Sequence, residues 1–388
     1  MKTGSRYTHL ECHKCGTSYD KAVKNTYCPK CEKPLLARYN MDVGLDKSML
    51  SGRNNDMWRY KEMLPIEESE NIVTLGEGGT PLLELNNFAQ DHGVQSLKLK
   101  NESLSPTGSF KARGLCMAVS KAKELGLNEF CIPTAGNAGS ALSAYTAKMK
   151  GIAHIFMPEL TPTVFQMDCE IMGAQVTKVK GSIKDAGAAM KQENQDAKWW
   201  DVTTLKEPFR LEGKKTMGYE IAEQLDWQLP DVILYPTGGG TGLIGIWKAF
   251  LEMKALGWVE SIPTKMVAVQ TEGCNPIVTA FQKGDRTAPL YENPAVTIAN
   301  GLRVPKAFGD ELILDTIYDS GGCAVDVSES DMKEWMRAFA EAEGIFLSPE
   351  GAAVVSAAVR LRKENFIEDG HSVVLLNTGS PYKYIENL

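Results

Sequence analysis

The sequence contains no apolar run approaching the roughly 20 residues that a membrane-spanning helix requires, so a helical membrane protein is excluded. Its start, Met1-Lys2-Thr3-Gly4-Ser5-Arg6, leads into polar residues and cysteines instead of an apolar segment, and no secretory signal is expected. Basic residues are not in excess. With 42 Lys and Arg against 49 Asp and Glu, a net charge of -7 and no long basic face, a nucleic-acid binder working by phosphate neutralisation is not expected. Low-complexity tracts and short solenoid repeats are missing too. Nor is there a disulfide framework, because Cys116, Cys131, Cys169, Cys274 and Cys323 stand singly among apolar residues. Such cysteines act as small core residues in a reducing compartment, so a cytoplasmic protein with small-molecule partners is expected.

What is present is enough chain for a large buried core. The 388 residues suffice for two or three compact units, and 43% hydrophobic with 23% charged residues is ordinary globular composition. The other four cysteines form two knuckles, Cys12-His13-Lys14-Cys15 and Cys28-Pro29-Lys30-Cys31, separated by twelve residues. That spacing turns four thiolates toward one tetrahedral zinc in a closed, structural site, with a redox pair or unrelated thiols as the rival explanations. His13 is expected to be exposed rather than coordinating.

Residues 37–70, with Gly44, Gly52 and Pro65, read as a linker and entry segment with Trp58 and Tyr60 as docking points. From residue 97 onward, short apolar runs alternate with helical patterns: strands at 97–100, 130–133, 154–157, 175–179 and 199–202, helices at 111–124, 138–150, 163–172 and 182–196. The second half continues with helices at 213–225, 243–255, 329–344 and 351–364 and strands at 232–235, 265–270 and 372–376. Strands alternating with helices of ten or more residues imply parallel sheets, hence a doubly wound α/β protein. The expected domains are 1–40, ribbon-like; 41–95, linker and entry segment of the large domain; 96–203, a smaller α/β domain; and 204–388, a large α/β domain.

The stretch Ser105-Pro106-Thr107-Gly108-Ser109-Phe110-Lys111-Ala112-Arg113-Gly114 sets a lysine at the start of a helix. The positive helix end and Arg113 both disfavour its charged form, which suits Lys111 to nucleophilic attack; a solvated first-turn lysine is the alternative. Three further loops follow predicted strands, where open α/β sheets bind ligands. In Thr134 to Ser140, glycines flank Asn137, which either approaches a ligand or caps a helix. In Thr237 to Gly242, four glycines before a helix leave backbone N–H groups to converge on one phosphate, or simply make a tight turn. After the last strand, Thr378 is a ligand for a heterocycle or a turn residue. An amine, a phosphate cradle and donors for a ring together match the needs of pyridoxal phosphate.

On these segments, together with Gly76 to Leu82, Arg210-Leu211-Glu212-Gly213-Lys214-Lys215-Thr216 and Ser348 to Ala353, the chain resembles a fold-type II pyridoxal-phosphate enzyme (tryptophan synthase β-like). Within that group it is most similar to the threonine synthase family, over about residues 70 to 380. The resemblance implies two doubly wound parallel-sheet domains plus an N-terminal zinc ribbon. It marks Lys111 as the catalytic Schiff-base lysine supported by Phe110, with Asn137 on the ring oxygen, Gly238, Gly239, Gly240, Thr241 and Gly242 on the cofactor phosphate, and Thr378 on the ring nitrogen. A hydroxyl at that nitrogen favours eliminations and replacements. Arg210 would hold the substrate phosphate or else pair with Glu212 or Glu207; Ser109 and Thr134 complete the substrate ligands. The implied reaction turns O-phospho-L-homoserine and water into L-threonine and phosphate, in a homodimer. The chain departs from the family's pattern at Ala112, at Ala138 and at Gly240-Thr241, where aspartate, threonine and asparagines are usual. The last two departures touch residues that help hold the substrate phosphate, and the cradle is closer to that of serine and threonine dehydratases.

Overall fold

The computed structural model describes residues 1–42 and 44–387. In chain order the elements are β1 (Tyr7–Cys12), β2 (Ser18–Tyr19), β3 (Leu35–Tyr39), β4 (Leu82–Glu84), α1 (Asn86–His92), β5 (Ser96–Asn101), α2 (Lys111–Glu124), β6 (Glu129–Pro133) and α3 (Asn137–Met149). There follow β7 (Ile152–Pro158), α4 (Thr163–Ile171), β8 (Gln175–Val179), α5 (Ile183–Glu193), β9 (Trp200–Asp201), α6 (Phe209–Gln224), β10 (Val232–Pro236) and α7 (Thr241–Ala255). The chain ends with β11 (Lys265–Thr271), α8 (Pro276–Lys283), α9 (Asp310–Asp319), β12 (Cys323–Val327), α10 (Glu329–Glu343), α11 (Pro349–Lys363) and β13 (Ser372–Asn377). Among the described residues no helix is long and apolar enough to cross a membrane.

Two compact units emerge. The first comprises Met1–Gly79 and Ser105–Thr216, the second Thr80–Leu104 and Met217–Leu388.

In the first unit, β2-β1-β3 is a small antiparallel ribbon and β8-β7-β6-β9 a fully parallel sheet. The helices start where the local chemistry dictates. Ser182 and Asp185 form a reciprocal capping box at the head of α5, satisfying N–H groups that a helix start leaves open. The ribbon is tied to the first turns of α6. Tyr39 donates its hydroxyl to Glu212 Oε2 at 2.7 Å, Glu212 accepts from Lys215 at 2.6 Å, and the Lys215 ammonium lies 3.8 Å from the Tyr39 ring centroid. Tyr7 meets Phe209 edge-on at 6.3 Å. The expected linker carries its own packing: Trp58 and Tyr60 are buried, and Trp58 donates to Glu77 at 2.8 Å.

In the second unit, the sheet runs β12-β11-β10-β13-β5-β4, parallel apart from β4. Its central strand Val232-Ile233-Leu234-Tyr235-Pro236 is buried throughout, as expected of a parallel strand covered on both faces. The main core gathers β5, β10, β11, β13 and α11, with Phe339 of α10. Ser348 caps α11 by accepting from Gly351 N–H, and α10 stops at Gly344, whose φ of 68° is the left-handed conformation that glycine adopts without strain.

Three expectations are corrected here. Strand β5, expected to open the smaller domain at residue 96, pairs in parallel with β13 from Ser96↔Ser372 to Asn101↔Asn377 and so lies in the six-stranded sheet. Residues 204–216, expected in the large domain, group with the first unit. The stretch read as a polar region around 284–306 is followed by an unexpected helix, α9, and an edge strand, β12. Partners 276 residues apart leave no mark in local periodicity.

Candidate functional site

The turn before α2 is tight: Gly108 N–H bonds Ser105 O at 2.9 Å, and both Thr107 and Gly108 adopt positive φ. It delivers Phe110 and Lys111 to the helix start, where the Lys111 ammonium sits 3.8 Å from the Phe110 ring centroid. Ser109, fully buried, receives the Lys111 N–H at 3.4 Å. Arg113, adjacent in sequence, donates to Thr216 Oγ1 at 3.0 Å. A cation that the sequence reading did not single out lies against the same ring: Lys214 of α6, with its ammonium 4.9 Å from the Phe110 centroid.

Helices α2 and α6 approach so closely because glycines face each other. A Cβ on Gly213 would stand 2.0 Å from Arg113 O, and one on Gly114 would stand 2.9 Å from both Arg210 O and Lys214 Cε. Only hydrogen fits at these two positions, and the crossing presses the cationic turn of α6 onto the start of α2.

Arg210 is fully buried. It gives Nη1 to Val202 O at 2.6 Å, and its Nε and Nη2 have no hydrogen-bond partner among the described residues. The alternative ion pairs are not formed. Glu212 serves Lys215 and Tyr39, while the Glu207 carboxylate accepts the N–H groups of Phe209 and Arg210 at 2.8 and 2.9 Å. Burial outweighs the pull of Arg210 and pushes the Glu207 carboxyl from its ordinary 4.5 up to about 7. Burial, then Arg210 and Lys111, holds the Lys214 amine well below its ordinary range.

Thr134 and Asn137 follow β6, and Val202 follows β9, the strand beside β6, so Arg210 is anchored at the same sheet edge. Thr134 is buried; its hydroxyl takes the Gly136 N–H at 3.3 Å. Asn137 is the first residue of α3, and the cap position belongs to Gly136 with no side-chain cap bond. The helix-cap explanation of Asn137 therefore fails.

The second unit places Gly238 to Gly242 after β10 and Thr378 after β13, its neighbour in the sheet. Here the glycines are enforced by packing. A Cβ on Gly238 would meet Gly301 O at 2.2 Å, one on Gly240 would meet Ile313 Cγ1 at 2.2 Å, and one on Gly242 would meet Tyr235 Oη at 1.8 Å. Gly240, at φ 72°, caps α7, which begins at Thr241, two residues earlier than the sequence pattern suggested. The first intrahelical bond is Ile244 N–H to Gly240 O, so the positive helix end opens onto this loop, an uncharged donor set that suits a phosphate. Thr378 is buried directly after β13.

At the ribbon, the four sulfur atoms lie within 4.8 Å of one another, with Cys12–Cys31 at 3.3 Å, Cys15–Cys28 at 3.7 Å and Cys15–Cys31 at 3.8 Å. A tetrahedron with zinc–sulfur bonds of about 2.3 Å has edges of about 3.8 Å, so the set fits that ion. His13 lies outside the set and is half-buried rather than exposed.

Glu207 gives a pH signature. Its raised carboxyl takes up a proton on folding, so its contribution to stability is fully present below about 4.5 and is lost as pH rises through about 7. Glu207→Gln should therefore gain stability relative to the parent between pH 5 and 8, read as the difference in thermal midpoint. A difference that does not change with pH would show Glu207 titrating alike in both states.

Comparison with known proteins places these features in a family. The pyridoxal-phosphate-dependent enzyme family matches residues 73–379. A threonine synthase of Methanocaldococcus jannaschii is 35% identical over 96% of this chain and 92% of its own length. One of Methanosarcina acetivorans is 34% identical over 96% and 91%. Among solved structures, a threonine deaminase of Solanum lycopersicum superposes with a TM-score of 0.69 at 18% identity, covering 91% of this chain and 98% of that one. Maize serine racemase gives 0.68 at 20% identity over 79% and 93%. These two likenesses concern the fold.

Proposed function

The chain belongs to the pyridoxal-phosphate-dependent enzyme family, and from that premise we propose that it catalyses the threonine synthase reaction, O-phospho-L-homoserine and water giving L-threonine and phosphate. The observation that carries this reading is collinearity with two threonine synthases across 96% of the chain. The buried Arg210, with two N–H groups awaiting an acceptor, is its geometric counterpart.

Gly238 to Gly242 and the start of α7 would hold the cofactor phosphate, Asn137 and Thr378 the ring, and Lys111 the aldehyde carbon. When bound, pyridoxal phosphate supplies the electron-withdrawing ring that acidifies the substrate's Cα–H bond. Lys111, seated on Phe110 at the head of α2, takes the proton from Cα and returns protons further along the side chain, acting in turn as base and acid. Arg210 binds and orients the phosphate that leaves from Cγ, and water adds at Cβ. Ser109 and Thr134 orient the amino acid.

The same reading has zinc on Cys12, Cys15, Cys28 and Cys31, with the four thiolates leaving no open position for catalysis. It also has a cytoplasmic homodimer. Nine unbridged cysteines fit a reducing compartment.

The test is a substrate panel on the pure holoenzyme with phosphate, ammonia and threonine measured together. Equal amounts of phosphate and threonine from O-phospho-L-homoserine are expected, with one zinc per chain by metal analysis. Ammonia from serine, threonine or phosphoserine with no threonine formed would replace this reading by a β-elimination enzyme of the same fold.

A further inference from the structure

Two tyrosines paired across the ribbon, Tyr7 of β1 and Tyr39 at the end of β3, both reach helix α6. Their ring centroids lie 5.9 Å apart. Tyr7 meets Phe209 at 6.3 Å, and Phe209 meets Trp200 of β9 at 6.0 Å, both pairs edge-on. Phe209 and Trp200 are fully buried, and such spacings and tilts are the ones that aromatic quadrupoles favour. A file of four rings therefore runs from the ribbon, through the first residue of α6, to the strand beside β6. Lys121 of α2, 5.2 Å from the Tyr7 ring and 5.7 Å from the Phe209 ring, ties the same file to the helix that begins at Lys111.

Arg210 stands next to this file. Residues three apart share a helix face, so Phe209, Glu212 and Lys215 form one stripe. The ribbon covers it, with Tyr7 on Phe209, the Tyr39 hydroxyl on Glu212 at 2.7 Å and the Tyr39 ring 3.8 Å from the Lys215 ammonium. Arg210, about 100° further round the helix, projects from the adjoining face. Its Nη1 is bonded to Val202 O, two residues beyond Trp200. Lys24 of the ribbon grips the chain entering β9 by donating to Ala197 O at 3.0 Å and Trp199 O at 3.4 Å. Both anchors of Arg210, its backbone and Val202, thus belong to stretches that the ribbon touches, while Nε and Nη2 have no hydrogen-bond partner among the described residues. A guanidinium edge that takes two oxygens at once works only when it stands in a defined place.

We propose that Tyr7 and Tyr39 are positioning residues for Arg210, so that the ribbon sets where the partner-free edge of the guanidinium stands. This rests on the reading above that Arg210 holds the phosphate of O-phospho-L-homoserine. The ribbon then contributes to substrate recognition through α6, beyond holding its own four cysteines together.

The experiment uses the full-length holoenzyme and its Tyr7→Leu, Tyr7→Phe and Tyr39→Phe variants. Four quantities are read: the KM for O-phospho-L-homoserine, the dissociation constant of inorganic phosphate, that of L-threonine from the cofactor's absorbance, and the thermal midpoint. Tyr7→Leu should weaken phosphate and raise the KM about tenfold, because a displaced guanidinium loses its two-point fit. L-threonine should stay within about twofold. Tyr7→Phe keeps the ring and loses only a hydroxyl that has no hydrogen-bond partner, so it should restore the parent values. Tyr39→Phe, the milder change should Tyr7→Leu fail to fold, should weaken phosphate about two- to fivefold. A lower thermal midpoint with unchanged phosphate affinity would make the ribbon a stabiliser only and overturn the proposal. An equal loss for L-threonine would overturn it too, as would phosphate binding in the parent that survives Arg210→Gln. Should the parent bind phosphate through Arg210 yet make no threonine, the functional reading fails, and the phosphate dissociation constants still decide the role of the two tyrosines.

Discussion

Replacing Lys111 by alanine should lower kcat by at least about a thousandfold in the proposed reaction, where one amine would both attach the cofactor and carry protons between substrate carbons. Cofactor should still bind through the loop at Gly238 to Gly242, whose donors are backbone groups untouched by the change. The visible absorbance of the lysine-bound form should be replaced by that of free aldehyde. Lys214 is the natural comparison, since two lysines share the Phe110 ring, and burial holds the Lys214 amine well below its ordinary range. Either amine is chemically able to attack an aldehyde. Position argues for Lys111, delivered by the Pro106–Gly108 turn to the positive end of α2, whereas Lys214 lies within α6, its ammonium 4.9 Å from the Phe110 centroid. If Lys111→Ala retains the absorbance and Lys214→Met loses it, the assignment is reversed.

The second large effect is expected at a residue that touches no ligand. Gly213→Ala places a methyl group 2.0 Å from Arg113 O, 2.7 Å from Arg113 C and 3.0 Å from Met117 Cβ, and all three belong to a neighbouring helix rather than to a flexible side-chain end. Helix α6 would gain about 1 kcal/mol from exchanging glycine for alanine, but separating two packed backbones costs about 3 kcal/mol or more. The crossing loses. A drop of several degrees in the thermal midpoint is expected. Gly187→Ala is the matched control: its added carbon would come no closer than 3.8 Å to Pro133 Cγ, so helix α5 should gain up to about 1 kcal/mol. Were Gly213→Ala to unfold no earlier than the parent, the tight contact between α2 and α6 would be wrong.

Much of the parallel architecture was legible from local pattern, because strands such as Val232–Pro236 are apolar throughout and helices such as α10 end on glycine. The grouping of the four ribbon cysteines was legible as well, since two knuckles of fixed spacing carry their own geometry. What local pattern cannot hold is pairing. Strand β5 looked like the first strand of the domain that follows it and instead joins β13, at the far end of the chain. Strand β12, only partly buried along Cys323–Val327, lacks the apolar run that revealed the central strands. Lys111, the glycine loop and Arg210 are marked by motif, whereas nothing in the motif shows that Lys214, four residues after Arg210, is buried. A signal was available in its spacing of four from Arg210, yet a lysine on a helix reads as solvated until the glycine across from it is known to admit another backbone.

One earlier contact bears on how far the chain can be shortened. The family match begins at residue 73, which invites the idea of a catalytic body with a detachable metal ribbon. The Tyr39 ring and hydroxyl instead form the lid over Lys215 and Glu212, a charged pair with no exposure to solvent. Cutting at the family boundary would leave that pair open to water one turn from Arg210. The smallest piece of this protein able to keep this charged turn of α6 dry therefore includes the ribbon.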